Sequence, residues 1–373
     1  MHIQSKRNFG LDLIRASAIS LVVISHCTFL LFPTYNHSII TLIRVLGAVG
    51  VDLFFVLSGF LIGGILLKYI ENEKTGFSDL INFWKRRWIR TLPNYFFILL
   101  INIFLFFIIG EKLPKDIGQY FIFIQNFNNP HPDFFTEAWS LSIEEYAYLF
   151  LPLLFYIGFL LFKNSNKEKI FLWFSIISIF ILCLLKIKYF LNAEVESYKT
   201  WSVTFRKVVL YRIDAIYFGF LVVYFFRKYH EFFERNRKLI AFVGMILFMM
   251  VHTIIFTFQI LPQTHLWFYI FVYLQLVIVS LGLLFPYFIA INYNGVFKKS
   301  IEFISTRSYA IYLINYSLIL LGIQRCFKLN EFPFYQKLIL VIFFLVITLL
   351  LSEMLYKFFE KPILQYRNRK FPS

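Results

Sequence analysis

Long apolar runs separated by short polar stretches follow one another along the whole chain. Each run has about 18 to 25 residues, enough for a helix to cross a hydrocarbon core of roughly 30 Å. Because backbone polar groups in a bilayer must be satisfied internally, we interpret these runs as membrane-spanning α-helices. The pattern predicts an all-α, polytopic integral membrane protein with ten spans, at residues 9–32, 42–70, 91–110, 140–162, 169–190, 208–227, 238–258, 266–291, 308–325 and 335–358.

Composition supports this class and excludes a soluble domain. The 373 residues are 59% apolar and 21% aromatic, with a mean hydropathy of +0.69, far from the values of soluble proteins. The three cysteines show no metal-ligand spacing, and we expect no bound metal.

The formal charge of +16 would also suit a nucleic-acid-binding protein. However, 24 of the 37 basic residues fall on the N-terminal side of the predicted bundle and 12 on the other. This asymmetry predicts that both termini are cytoplasmic. We therefore expect membrane lipid, and no nucleic acid, around the protein.

One stretch is neither a simple span nor a simple loop. Residues 119–142, QYFIFIQNFNNPHPDFFTEAWSLS, are too interrupted by Asn and Pro to cross the membrane. They predict a short interfacial helix and a turn on the outer side, or alternatively a re-entrant segment.

Within the second predicted span, Gly59 and Gly63 form a GxxxG pattern that predicts close helix packing.

The first span carries ionisable residues at both ends. Arg15 and His26 are eleven residues apart, which is about 20° beyond three full helical turns and roughly 16 Å along the axis. They therefore share one face, with Ile19 and Val22 between them. Asp12 lies within ion-pair reach of Arg15, so mutual neutralisation of these two near the interface is the structural alternative.

Several other spans also carry charges, and these predict a polar chamber inside the bundle. They are Arg44, Asp52, Glu144, Glu145, Arg212 and Asp214. His26 is suited to accept a proton there, because its ordinary pKa lies near 6.5. Glu144 is predicted to orient it, as a carboxylate does for a catalytic imidazole. The sequence has no HExxH, GxSxG or Walker motif, which disfavours metalloprotease, serine hydrolase and ATPase chemistry.

Six motifs resemble, in order and spacing, those of the membrane-bound acyltransferase 3 family. They are GLDLIRASAISLVVISH (10–26), GAVGVDLFFVLSGFLI (47–62), WKRRWIR (84–90), EAWSLSIEEYAYLFLP (137–152), YRIDAIYFGFL (211–221) and STRSYAIYLIN (305–315). The resemblance implies one transmembrane acyltransferase domain at residues 8–365, followed by a short basic cytoplasmic tail at 366–373. It also implies a multi-pass protein of the inner, cytoplasmic membrane. The family usually has His where this chain has Asn315, which can hydrogen-bond but cannot act as a base.

Such proteins use acyl-CoA, usually acetyl-CoA, to acylate a hydroxyl of a carbohydrate such as O-antigen, exopolysaccharide or peptidoglycan. The acceptor is free or lipid-linked. If the CoA nucleotide stays at the cytoplasmic mouth, we expect its phosphates to be bound by Arg15, Lys85, Arg86, Arg87 and Arg90. We also place Arg15 in the catalytic group with His26 and Glu144. The alternative for these cations is ordinary charge flanking a span.

On the acceptor side we place Trp139, Glu145, Arg212 and Asp214, with Trp139 stacking on a sugar ring. An interfacial aromatic belt is the alternative for Trp139, and a structural network between helices is the alternative for Arg212 and Asp214. His26 would act either as a general base on the acceptor hydroxyl or as a transient acyl carrier. Two other functions remain open: a transporter or flippase of glycolipid or polysaccharide precursors, and an inactive scaffold in an export complex.

Overall fold

A computed structural model describes residues 7–34 and 37–371 of the chain. Within these residues the protein is helical and contains no β-strand. The long helices are α1 (Phe9–Leu31), α2 (Ser38–Glu71), α3 (Phe77–Ile109), α4 (Ala138–Leu161), α5 (Lys167–Asn192), α8 (Asp214–Lys228), α9 (His230–Thr257), α11 (Leu274–Ile289), α12 (Lys298–Ile314) and α14 (Phe334–Leu355). The short ones are α6 (Tyr198–Trp201), α7 (Val209–Arg212), α10 (Leu266–Phe268), α13 (Leu321–Cys326) and α15 (Lys361–Lys370).

Nine helical segments of the described chain are long and apolar enough to cross a membrane, and each corresponds to a predicted span. The prediction of an all-α multi-pass membrane protein is therefore confirmed. The remaining predicted span, 308–325, falls on α12 and α13, which a π-helical segment at Asn315–Leu320 separates. Helix α15 continues across the predicted domain boundary at residue 365, so no break in secondary structure marks it.

Helix α3 begins fourteen residues before the predicted start of its span at 91. Its N-terminus is closed by Asp79, whose carboxylate accepts a hydrogen bond from the Gly76 N–H at 3.0 Å. This capping bond satisfies one of the otherwise unpaired N–H groups of the first turn. The helix therefore carries the basic stretch 85–90 as part of one continuous rod rather than in a loop.

The centre of the bundle is formed by α1 and α2. Helix α1 packs against α2 and α12, and α2 packs against α8. A Cβ at Gly59 would lie 1.9 Å from the carbonyl oxygen of Ile216, so α2 and α8 approach each other too closely for any side chain there. The predicted use of Gly59 in close packing is confirmed.

The outer helices show apolar surface to their surroundings. Only Gly244 and Val251 are buried in α9, while large side chains such as Phe242 and Met249 are exposed. Such a surface is unfavourable in water and favourable in lipid, as expected of a membrane protein.

The segment between α3 and α4 folds into the protein. A short 3-10 helix at Ile117–Phe121 confirms the short helix predicted in this region. The Tyr120 hydroxyl donates to the Phe134 carbonyl at 3.1 Å, and the Tyr95 hydroxyl donates to the Tyr120 carbonyl at 2.9 Å. Tyr120, Gln125 and the Asn126 side chain are buried. The segment therefore forms part of the interior wall around the start of α4.

Candidate active site

Helices α1 and α12 run side by side and bring polar side chains together at two levels. At the first level Arg15 donates to Ser305 Oγ at 3.3 Å and lies 3.6 Å from Asp12. At the second level the His26 ring hydrogen-bonds the Asn315 side chain at 2.5 Å. The two levels are about 15 Å apart, since ten residues of α12 separate them. The predicted arrangement of Arg15 and His26 on one face of α1 is present.

The partners of Asn315 define the chemical state of His26. The Asn315 amide nitrogen donates to the carbonyl oxygens of Ile311 and Tyr312 at 2.7 and 3.0 Å. Its oxygen therefore faces His26 and can only accept, so His26 Nδ1 carries the proton and donates it. The Nε2 atom then has a free lone pair and can accept a proton from a substrate. Among the described residues no side chain hydrogen-bonds this Nε2 atom.

The stripe between the two levels is closed. Ile19 and Val22 are only 1% and 3% exposed, so neither lines an open channel. No open passage therefore runs along this stripe from Arg15 to His26 in this conformation, because α2 and α12 pack over these two side chains.

Arginines from three helices gather around Arg15. Arg15 lies within electrostatic range of Arg90 and Arg87 of α3. Arg367 of α15 lies within range of Arg86, Arg87 and Arg90. Such a concentration of like charge is unfavourable unless an anion neutralises it. The structure thus joins four of the five predicted phosphate-binding residues and adds Arg367, whereas Lys85 is exposed and has no described contact with the group.

Within this group Arg90 is the cation left without a partner among the described residues. Arg87 donates to Glu144 at 3.1 Å and stacks over the Tyr148 ring at 4.1 Å. Arg86 donates to the Phe371 carbonyl. Arg90 is exposed and forms no described hydrogen bond or ion pair. The charges of Arg87, Glu360 and Glu144 act on Arg90, and Arg90 in turn acts on Arg15.

Glu144 and Glu145 point toward α3. Glu144 accepts from Ser58 Oγ at 2.9 Å as well as from Arg87, and Glu145 accepts from Thr91 Oγ1 at 2.8 Å. Asn315, not Glu144, hydrogen-bonds His26, so the predicted pairing of Glu144 with His26 is wrong. The physical reason is that α3, with its strong cation, lies next to this face of α4 and competes successfully for the carboxylate.

Arg212 and Asp214 belong to a buried ion network. Arg212 and Arg206 donate to Asp52 Oδ1 at 2.7 and 3.2 Å, and Asp214 accepts from Lys186 at 2.5 Å. Arg212 Nη1 also lies 3.9 Å from Asp214 Oδ1, although only one residue separates them, because the chain turns at Ile213 between α7 and α8. The network ties α2, α5 and α8 together, in agreement with the structural alternative for Arg212 and Asp214.

Trp139 is part of the core. It is 5% exposed, its ring meets Phe55 edge to face at 5.8 Å, and the Arg206 guanidinium lies 5.2 Å from its centroid. The prediction that Trp139 stacks on a sugar is therefore wrong for this conformation, since both its edge and its face are covered.

Residues that the sequence interpretation passed over surround His26 at its own level. Glu137 is buried and accepts hydrogen bonds from Ser317 N at 3.2 Å and Ser317 Oγ at 2.7 Å. The ring of Tyr316 lies 4.8 Å from the His26 ring. The charge of Lys207 acts on both His26 and Glu137. Lys207 lies in a connection that is predicted to be on the outer side, where basic residues are fewer. This unusual position is the sequence feature that could have pointed to Lys207.

Two groups at this level lie outside the spans and have shifted pKa values. Burial, together with the positive charge of Arg206, lowers the pKa of Lys207 to about 8. Burial and the positive charge of Lys207 lower the pKa of His131 to about 3. His131 is therefore neutral at physiological pH, and Lys207 changes its protonation state at a pH close to the physiological value.

The architecture is that of an α-helical membrane protein with an interior histidine above an arginine group. Residues 8–357 match the acyltransferase 3 family, which is described as an acyltransferase domain. The chain belongs to this family, as the motifs predicted.

Individual relatives within the family narrow the comparison to O-acetyltransferases. The chain is 26% identical over 374 residues to O-acetyltransferase OatA of Staphylococcus aureus, covering 95% of this chain and 57% of that protein. It is 24% identical over 413 residues to "Putative peptidoglycan O-acetyltransferase YrhL" of Bacillus subtilis, covering 97% of this chain and 56% of that protein. The chain thus spans little more than half the length of these relatives. No solved structure matches it.

Proposed function

We propose that this protein is an O-acetyltransferase that moves an acetyl group from acetyl-CoA to a carbohydrate hydroxyl. The observation that carries the proposal is the fixed protonation of His26, whose Nε2 atom is left free by the Asn315 hydrogen bond. This geometry suits a general base. Because the chain belongs to an acyltransferase family, the reaction that this base would assist is acyl transfer.

The arginine group supports a polyanionic donor. Arg90 is accessible and unpaired among the described residues, while Arg15 and Arg87 lie within range of its charge. Phosphates would neutralise this group, and a planar guanidinium binds them in a forked geometry. The pantetheine arm of CoA is about as long as the roughly 15 Å between the two levels of the site. Because Ile19 and Val22 close the stripe, the donor can reach His26 only when the helices around them part.

For the acceptor we propose a cell-envelope glycan, with peptidoglycan the first to be tested. The name of the Bacillus subtilis relative supports this choice over the O-antigen or exopolysaccharide suggested by the wider family. We further propose that the protein lies in the cytoplasmic membrane with both termini in the cytoplasm, so that the arginine group faces the cytosolic pool of acyl-CoA.

A direct test uses purified protein with acetyl-CoA labelled in the acetyl group and a soluble glycan fragment as acceptor. We expect transfer of label and release of free CoA, and we expect His26→Ala to abolish both. Translocation of a labelled glycolipid in vesicles without CoA release would favour a transporter. The absence of both activities would favour a scaffold.

The donor site is tested separately by neutralising Arg90. Arg90→Gln should raise the KM for acetyl-CoA about tenfold or more, since one charge-assisted contact with phosphate contributes about 1.5–3 kcal/mol. Arg227→Gln is the matched control, because the ion pair that Arg227 forms within the described residues, with Glu71, lies at an exposed position. Equal KM values in the two variants would remove the phosphate-binding assignment.

A further inference from the structure

Hydrogen bonds at the start of α4 hold the Lys207 backbone near the segments that surround His26, and the charge of Lys207 acts on His26. The Asn126 amide donates to both the Lys207 carbonyl at 2.6 Å and the Trp139 carbonyl at 3.0 Å, which anchors Lys207 against the first turn of α4. Glu137 lies immediately before that turn and is held by Ser317. The π-helical segment that contains Ser317 also contains Asn315, so one short segment positions the surroundings of both Lys207 and His26.

The Lys207 ammonium has no hydrogen-bond or ion-pair partner within the described part of the chain, although it is half-buried. Retaining a partly desolvated, unpaired cation is unfavourable for the fold, and a structural role would normally provide a close carboxylate. Glu137 is near enough for its charge to act on Lys207, but its Oε1 atom is engaged by Ser317. Its other oxygen, Oε2, is buried without a partner.

We propose that Lys207 stabilises the oxyanion that forms when the acceptor hydroxyl attacks the thioester beside His26. The proposal rests on the acetyltransferase function proposed above. A fixed positive charge at the place where negative charge develops is the largest single contribution in many acyl transfers.

His26 Nε2 takes the proton of the acceptor hydroxyl while the acceptor oxygen bonds to the thioester carbonyl carbon. The π electrons of the carbonyl move to its oxygen, which becomes the oxyanion next to the Lys207 ammonium. When the carbonyl re-forms, the C–S bond breaks, and the departing CoA thiolate takes the proton from His26. The products are the acetyl ester and CoA, and His26 returns to its starting state.

The proposal includes a pH dependence, because Lys207 stabilises the oxyanion only while it is protonated. Its pKa of about 8 predicts that the rate falls as the pH rises through about 8. The titratable and charged groups whose charges interact with Lys207 come from three parts of the chain. They are His26 of α1, His131, Asp133 and Glu137 of the segment before α4, and Lys199 and Arg206 of the segment before α7.

The test compares Lys207→Met and Lys207→Arg with wild type in the CoA-release assay, over a range of pH. We expect Lys207→Met to lower kcat about 100-fold or more with little change in the KM for acetyl-CoA. We expect Lys207→Arg to keep most of the activity and to move the alkaline fall to higher pH, since a guanidinium stays charged. Lys188→Met, at an exposed position of α5, should behave as wild type.

Several outcomes overturn the inference while leaving the proposed function in place. One is wild-type kcat in Lys207→Met. Another is a raised KM for an anionic acceptor alone, with normal turnover of a neutral one, which would assign Lys207 to acceptor recognition. A third is an unchanged alkaline limb in Lys207→Arg. If wild-type protein itself releases no CoA, the proposed function fails, and the inference fails with it.

Discussion

The hydrogen bond between Asn315 and His26 gives the most direct test of how the site works. Replacing Asn315 by Leu keeps the side-chain volume and removes the amide oxygen that accepts from His26 Nδ1. The ring is then free to rotate or to move its proton to Nε2, the atom needed as the base. We therefore expect a loss in turnover, with acetyl-CoA binding unaffected.

The size of the loss follows from the hydrogen bond that is removed. Leaving a buried donor such as the Nδ1–H unpaired costs about 1–3 kcal/mol. At about 1.4 kcal/mol per tenfold change in rate, kcat should fall roughly 5-fold to 150-fold. Asn315→His should retain much more activity, because a second imidazole can also accept from Nδ1.

The assay is CoA release by purified protein at saturating acetyl-CoA, with thermal unfolding in detergent as a measure of folding. Ser308→Ala is the control on the preceding helix α12, since the one hydrogen bond that the Ser308 hydroxyl donates among the described residues goes to the Ser305 carbonyl. A normally folded Asn315→Leu protein with kcat within twofold of wild type would refute the view that Asn315 holds His26 in its active tautomer.

Three further predictions concern stability, each measured by unfolding in detergent. Asp52→Asn should cost about 3–5 kcal/mol because it leaves buried arginines uncompensated, whereas Glu71→Gln breaks an exposed pair and should cost less than about 1 kcal/mol. Gly59→Ala should be strongly destabilising, since its Cβ would lie 1.9 Å from a backbone oxygen, while Gly322→Ala meets nothing within 4 Å and should be neutral. The unfolded chain protonates His131 near pH 6.5 and the folded chain only near pH 3, so stability should fall as the pH drops across that window. His131→Gln should lessen this fall.

The fold was largely predictable because the bilayer requires long apolar helices and little else. The predicted ends lie within a few residues of the observed ones for α1 and α4. The larger error at α3 has a clear cause. Its first turns carry charged residues that the apolar pattern leaves out, yet the capped helix continues through them. Arg86 and Arg87 bond to other parts of the protein, whereas Lys85 and Arg90 stay exposed.

The site was less predictable, because partner choice depends on which helices become neighbours. Helical spacing correctly placed Arg15 and His26 on one face of α1. It could not show that α3 would bring Arg87 to Glu144, or that α12 would bring Asn315 to His26. Asn315 lies in a π-helical segment, in which each hydrogen-bonded turn contains one residue more than in an α-helix. The pattern of apolar residues does not predict this local change.

The charged groups in and around the site fall into two classes: those that fix the positions of helices and those that are available for chemistry. Asp52, Arg212 and Lys186 are bound to one another or to neighbouring side chains, and such pairs fix helices in register. Arg90 and Lys207 lack close partners among the described residues. An unpaired charge within a membrane protein lowers the stability of the fold, so its retention has to be explained by something that arrives later. For Arg90 that is a phosphate group, and for Lys207 it is a negative charge that exists only during the reaction. On this reasoning, neutralising either cation should leave the folded protein at least as stable as before while lowering its activity.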